Sequence, residues 1–275
     1  MYRGFFINLD RNTRRLTAMT EHLKERGILD KYQRFPAVEG RAVAAEHPTS
    51  LDAGALGIWL THENLLRANI GSDAHLHIME DDAVLARGAA DMLPSLMGYA
   101  DSQLADWDVV FTDTLFPLDH RLFSEVLRRW LHFKSTGRIS LFSLRGLVIA
   151  NATSLFINKK SINKYLDLIS GKWSQGIPID LHIRALINDG KLNAYTCVPF
   201  LSSLSEESKQ SDIRGQLDAS RIAYSAYSRA VFIDADHAEI NKELVEIAKD
   251  VSLPSLAEVY IRSLAFTLTD KFQKF

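Results

Sequence analysis

The stretch HLHIMEDDAVL, residues 75–85, sets an apolar run directly against three carboxylates, Glu80, Asp81 and Asp82. The run reads as a buried central strand, and the acids stand at its carboxyl end. Adjacent carboxylates repel one another and are costly to desolvate unless a cation compensates. Read as acid-x-acid, Glu80 and Asp82 point to one side of an extended segment and Asp81 to the other. One or two carboxylates plus a substrate diphosphate form the usual setting for magnesium or manganese, which suits phosphoryl or glycosyl transfer. A solvated turn or helix N-terminus is the bland alternative.

Working outward, GFFINLD (residues 4–10) reads as a buried first strand. In residues 11–28, Leu16, Met19, Leu23 and Ile28 recur at helical spacing, and Gly27 sits where a helix stops. YQRFPAVEG (32–40) is another strand with a turn. Strand, helix, strand opens an α/β sheet with right-handed crossovers. In residues 51–70 a second helix gathers Ala55, Ile58, Trp59, His62, Leu65 and Leu66 on one face. Helical AADMLPSLMGYA (89–100) precedes the strand WDVVFTDTLF (107–116). Residues 145–159 supply one or two more strands, KKSINKYLDLI (159–169) and PIDLHIRALINDG (178–190) two helices, and LNAYTCVPFLSSL (192–204) a late strand. From His237 the pattern is helical and amphipathic, broken at Pro254.

The expected fold is therefore α/β, with a mostly parallel sheet flanked by helices and a helical C-terminal extension. Ligands of such sheets bind outside the carboxyl ends of the strands. Asp10, Glu39, the Glu80–Asp82 cluster and Asp113 all fall at such ends.

The 275 residues suffice for one large domain with a sizeable core. The expected division is residues 1–215 as the sheet domain and 216–275 as the extension. A net charge of −2 offers no basic field for nucleic acid. The nine histidines show no metal-ligand spacing. The single cysteine, Cys197, excludes an internal disulfide and reads as a buried structural thiol, which fits a reducing cytoplasm. The apolar stretch near Met1 is too short for a signal peptide, and charges interrupt every long apolar run. No GxxxxGK[ST] loop, GxGxxG fingerprint or GxSxG elbow occurs. Residues 120–146 interleave Arg121, Arg128, Arg129, Lys134, Arg138 and Arg145 with Leu122, Phe123, Leu127, Trp130, Leu131 and Phe133. Such a segment suits either peripheral contact with an anionic inner-membrane face or packing on the core. The amphipathic tail shares that ambiguity, with self-association into a homo-oligomer as a third use.

Several blocks, in order and spacing, resemble the family 25 glycosyltransferases, which include bacterial lipopolysaccharide and lipooligosaccharide sugar transferases. FFINLDRNTRR is similar to the family's opening segment with its later arginine, here Arg15. RFPAVEG, LDAGALGIWLTHENLLRA with Gly57 and Thr61-His62, HIMEDDAVL, ATSLFINKKSINKYL, PIDLHI and SDIRG resemble later blocks. The sequence departs from the pattern at Arg14, where the family has an acid, at Ile58 for cysteine, at Thr61 for serine, and at Phe156, where an aromatic is displaced.

The resemblance implies a GT-A-like (Rossmann-like) fold, a UDP-sugar donor, a divalent metal (Mn2+ or Mg2+) and inversion at the anomeric carbon. It implies Asp82 and Glu80 as metal ligands, with Asp81 on metal or donor. Asn8, Arg15, Ala37 and Glu39 would line the nucleotide pocket, His62 would meet the diphosphate or the metal, or else pack in the core, and Asp212 would sit on a loop closing over the donor. Inverting transfer needs a general base within reach of the acceptor hydroxyl. Asp180, at the start of a helix, is the first candidate and Asp113 the second; capping is the ordinary use of an aspartate at the former place. The expected activity moves galactose or glucose to a saccharide or glycolipid acceptor, in the cytoplasm or on the inner-membrane face. A non-catalytic nucleotide-sugar-binding protein, or a metal-dependent nucleotidyltransferase or hydrolase, would use the same residues.

Overall fold

The computed structural model describes residues 1–115, 120–205, 225–226 and 228–247. Nine strands are described: β1 (Tyr2–Asn8), β2 (Tyr32–Pro36), β3 (His75–Glu80), β4 (Ala83–Leu85), β5 (Val109–Phe111), β6 (Ser140–Ser143), β7 (Ser154–Ile157), β8 (Ala194–Val198) and β9 (Ser202–Leu204). The helices used below are α1 (Thr13–Glu25), the short α2 (Gly40–Val43), α3 (Ala53–Ala68), α4 (Ala89–Gln103), α5 (His120–Thr136), α6 (Ile162–Ile169) and α7 (Ile179–Asn188), with a last one at His237–Ile247.

Seven strands form the central sheet in the order β2-β1-β3-β7-β5-β8-β6, while β4 and β9 pair in a separate ribbon. The parallel pairings β1–β2, β1–β3 and β5–β8, with β7 antiparallel to both β3 and β5 and β6 antiparallel to β8, leave five of the seven strands running one way. The sheet is mostly parallel, as expected.

Its strands are apolar on both faces because both are covered. Phe5, Ile7, Leu76, Ile78, Leu155 and Ile157 face one core with Trp59, Leu65 and Leu66 of α3, Tyr165 of α6 and Ile183 of α7. Phe6, Met79, Val110, Phe156 and Cys197 face the other, with Met19 and Leu23 of α1 and Leu93, Leu96 and Met97 of α4. Each such side chain contributes on the order of 2 kcal/mol when fully buried. Cys197 is wholly enclosed, and burial pushes its thiol up to about 12.

Three strands escaped the sequence reading. β6 lies inside the basic stretch 120–146, β4 follows the acid cluster directly, and β9 separates from the single late strand expected over residues 192–204. The described part of the C-terminal extension joins the main core: Ala226, Ala230, Val231 and Ile240 pack with the sheet's first face, and the Val231 carbonyl accepts from the Phe200 N–H at 2.9 Å. Pro254 and the end of the tail lie outside the described residues.

The basic helix α5 spends part of its charge internally. Arg128 and Arg129 both bond Glu125, and Arg129 also donates to the Leu141 carbonyl and lies over the Phe142 ring. Trp130 packs against the core and meets the His237 ring, while Leu131 is exposed. Among the described residues no helix is long and apolar enough to cross a membrane.

Candidate active site

Parallel register sets the site. Ile7 of β1 pairs with Phe35 of β2 on one side and Glu80 of β3 on the other. Three strands therefore end together, and the loops that leave them enclose a cavity of about 280 Å3. Its wall carries Leu9, Arg11, Asn12 and Arg15 from the β1–α1 junction, Ala37 to Arg41 after β2, the first turns of α3 from Asp52 to Thr61, and Glu80, Asp81 and Asp82 after β3.

The α2 and α3 walls meet at glycines. A Cβ on Gly57 would stand 2.5 Å from the Val38 carbonyl oxygen, and one on Gly40 would stand 1.8 Å from that of Ala53. Thr61 fastens the same contact, donating to the Gly57 carbonyl at 2.6 Å and accepting the Val38 N–H at 2.8 Å. Asp52 starts α3 by accepting the Ala55 N–H at 2.8 Å, an ordinary N-cap.

Asp81 turns to the protein rather than to the cavity's centre. Its Oδ2 accepts from Asn8 Nδ2 at 2.6 Å and its Oδ1 from Arg15 Nη1 at 2.9 Å. Arg15 Nη1 also lies 3.6 Å from Asp82 Oδ2, so one guanidinium serves two neighbouring carboxylates. Asn8 is fully engaged behind the wall: its Nδ2 also donates to the Asn12 carbonyl, and its Oδ1 accepts from Arg34 Nε at 3.0 Å. It buttresses Asp81 and does not line the cavity. Glu39 does line it, paired with Arg11.

Asp113, just past β5, lies behind Asp82. Burial pushes its carboxyl up to about 7; the Ser202 hydroxyl opposes the shift and the charge of Asp82 adds to it. Its Oδ1 is buried without a hydrogen-bond partner among the described residues. Asp180 sits in the first turn of α7, whose N-cap is Pro178, so it is not the capping residue. Its Oδ1 accepts from the Leu181 N–H at 2.9 Å and its Oδ2 from the Asn151 N–H at 3.1 Å. Neither Asp113 nor Asp180 lines the cavity.

His62 is a correction to the diphosphate reading. Its ring is wholly buried, neither nitrogen finds a partner among the described residues, and desolvation lowers it to about 4. The helical turn presents Thr61 to the cavity and His62 to the core. Asp212 lies outside the described residues.

The structure therefore gathers Arg15, Ala37, Glu39, Glu80, Asp81 and Asp82 around one space, with Asn8 and Asp113 directly behind. Sequence reasoning missed Arg11 and Arg41, which line the same cavity. The position of Arg11 just after the first strand was the available signal. It also missed Asn151, for which no local signal exists.

No protein-family model matches the chain, and no curated protein sequence matches it. Among solved structures, mouse xyloside xylosyltransferase 1 in its apo form is similar over 70% of both chains, with 11% identity and a TM-score of 0.38. A putative glucose-1-phosphate thymidylyltransferase from Bacillus anthracis, in complex with a sucrose, is similar over 79% of this chain and 98% of its own, with 10% identity and a TM-score of 0.38.

Among the described residues, no three histidine, cysteine, aspartate or glutamate side chains gather as a metal site. Glu80 and Asp82 would be the carboxylates available to a hard dication that took its other ligands from substrate and water. The charge of Asp82 adds to the burial that raises the Asp113 carboxyl, and a proton on Asp113 relieves the repulsion between the two.

Proposed function

We propose that the protein is an inverting, metal-dependent glycosyltransferase with a GT-A-like fold. It would move a hexose, galactose or glucose, from a UDP-sugar to a saccharide acceptor of lipopolysaccharide or a similar surface glycan. The observation that carries this reading is the single cavity at the strand ends, which places Arg11, Arg15 and Arg41 beside Glu80, Asp81 and Asp82. Guanidinium forks recognise phosphate oxygens, and carboxylates recognise hydroxyls and hard cations. A nucleoside diphosphate sugar presents both kinds of group.

In this reading Asp82, with Glu80 at the same edge, would hold Mn2+ or Mg2+, which would supply charge neutralisation for the departing diphosphate. Arg15 keeps Asp81 and Asp82 apart in charge and direction. The Ala37–Arg41 loop and Glu39 receive the nucleoside. Asp180 takes the acceptor hydroxyl's proton while that oxygen bonds to the anomeric carbon and the bond to the diphosphate oxygen breaks. Asp113 is the second candidate for that base. The exposed basic side of α5, with Leu131, suits a lipid-linked acceptor presented at a membrane surface.

The test is UDP release from UDP-hexoses, with and without Mn2+ and with and without glycan acceptors. Acceptor-stimulated, metal-dependent release supports transfer. Release indifferent to acceptor would replace transfer by hydrolysis, and binding without turnover would leave a nucleotide-sugar-binding protein.

A further inference from the structure

Asn151 sits between the two candidate bases and touches both. Its backbone N–H donates to Asp180 Oδ2 at 3.1 Å, and its side-chain Nδ2 faces Asp113 Oδ2 at 3.5 Å. The amide's direction is set by its other end. Asn151 Oδ1 accepts from the Thr153 N–H at 3.1 Å and from the Thr153 hydroxyl. The backbone N–H can only donate, so Oδ1 must be the end facing Thr153 and the NH2 end the one facing Asp113.

Two further observations make this a junction rather than a loop detail. Asn151 has φ 78°, and among the described residues it is the only non-glycine with positive φ. Asparagine tolerates that region because its short side chain bonds locally, whereas most residues pay for it. The same short segment also reaches the acid cluster, since the Thr153 carbonyl accepts the Glu80 N–H at 2.8 Å. Residues 151–153 thus connect the end of β3, the end of β5 and the first turn of α7, the three places from which Glu80, Asp113 and Asp180 project.

We propose that Asn151 is a positioning residue: its left-handed backbone aims one N–H at Asp180, and its amide aims one donor at Asp113, fixing the two carboxylates relative to each other. This rests on the glycosyltransferase reading for its consequence in turnover, but the positioning itself does not.

Two variants separate the backbone contribution from the side chain. Asn151→Gly accepts the left-handed φ freely and keeps the N–H to Asp180 while deleting the amide facing Asp113. Asn151→Ala deletes the amide and also disfavours the φ, so the N–H leaves Asp180. Crystal structures of both are expected to show Asp113 turned in each and Asp180 displaced only in the alanine variant. In acceptor-stimulated UDP release, the donor KM is expected to stay within about twofold, while kcat falls about tenfold for glycine and about a hundredfold for alanine, the scale of a misplaced catalytic group. Thermal melting confirms that each variant is folded. Asp113 and Asp180 superposing on their wild-type positions in both crystals would overturn the proposal; displaced carboxylates with wild-type kcat would support the positioning and refute the assignment of these two as bases. A wild-type protein without transferase activity would refute the functional reading alone, and the crystals would still decide the role of Asn151.

Discussion

Arg15 Nη1 lies 2.9 Å from Asp81 Oδ1, joining a residue in the first helix to one after the third strand. Both side chains are largely buried, and the pair sits in a small polar network in which Asn8 also donates to Asp81 and Arg15 also lies beside Asp82. Removing one partner of such a pair leaves an uncompensated charge. Arg15→Met is expected to lower stability by about 3 kcal/mol in urea denaturation, and Asp81→Asn by less: the new amide can accept from only one of Asn8 and Arg15, but Asn8 keeps the Asn12 carbonyl and Arg15 keeps Asp82. A loss under 0.5 kcal/mol for Arg15→Met would place the pair among ordinary surface ion pairs.

The glycine contact between α2 and α3 makes a second expectation. Gly57→Ala puts a methyl group 2.5 Å from the Val38 carbonyl oxygen, where backbone must move. Overpacking of this kind costs about 1–3 kcal/mol. Both walls of the cavity meet there, so UDP-sugar affinity should fall as well, by about tenfold in calorimetric titration. Unchanged affinity in the folded variant would remove this wall from the binding site.

Acid sensitivity follows from the buried histidines. His62 is held down to about 4 by desolvation. Its folded value lies below the unfolded value of about 6.5, so between those pH values the unfolded chain binds more protons and stability falls as pH falls. The contribution at pH 5 is about 2 kcal/mol. Asp113 acts oppositely: with its carboxyl pushed up to about 7, the folded chain binds the extra proton and stability rises as pH falls from 7 towards 4. His62→Leu should therefore gain stability at pH 5 over its change at pH 8, with turnover retained. Denaturation midpoints at the two pH values read this directly, and a variant with equal shifts at both would contradict the assignment.

Much of the sheet was readable from local pattern, and the site only in part. HLHIME and GFFIN are apolar on successive residues because both sheet faces are covered, which marks them as central strands. Glu80–Asp82 stood out because the acids are contiguous. β6 was hidden because its four residues, SLFS, continue the apolar spacing of a basic helix. β4 is three residues long and exists through pairing with the distant β9. The partnership of Arg15 with Asp81, and the place of Asn151 between Asp113 and Asp180, are long-range contacts. No window of sequence contains them. His62 and Thr61 illustrate the limit of a helical face: adjacent positions differ by about 100° in direction, which is enough to exchange cavity for core.

The central claim is that the carboxylates after β3 and the arginines after β1 form one nucleotide-sugar site. Calorimetric titration of UDP into the protein with Mn2+, for wild type and Asp82→Asn, tests it most directly. The account predicts metal-enhanced UDP binding by wild type, and loss of at least tenfold of that enhancement in the variant at unchanged melting temperature. Equal UDP affinity in the two proteins, with the same response to Mn2+, would contradict it.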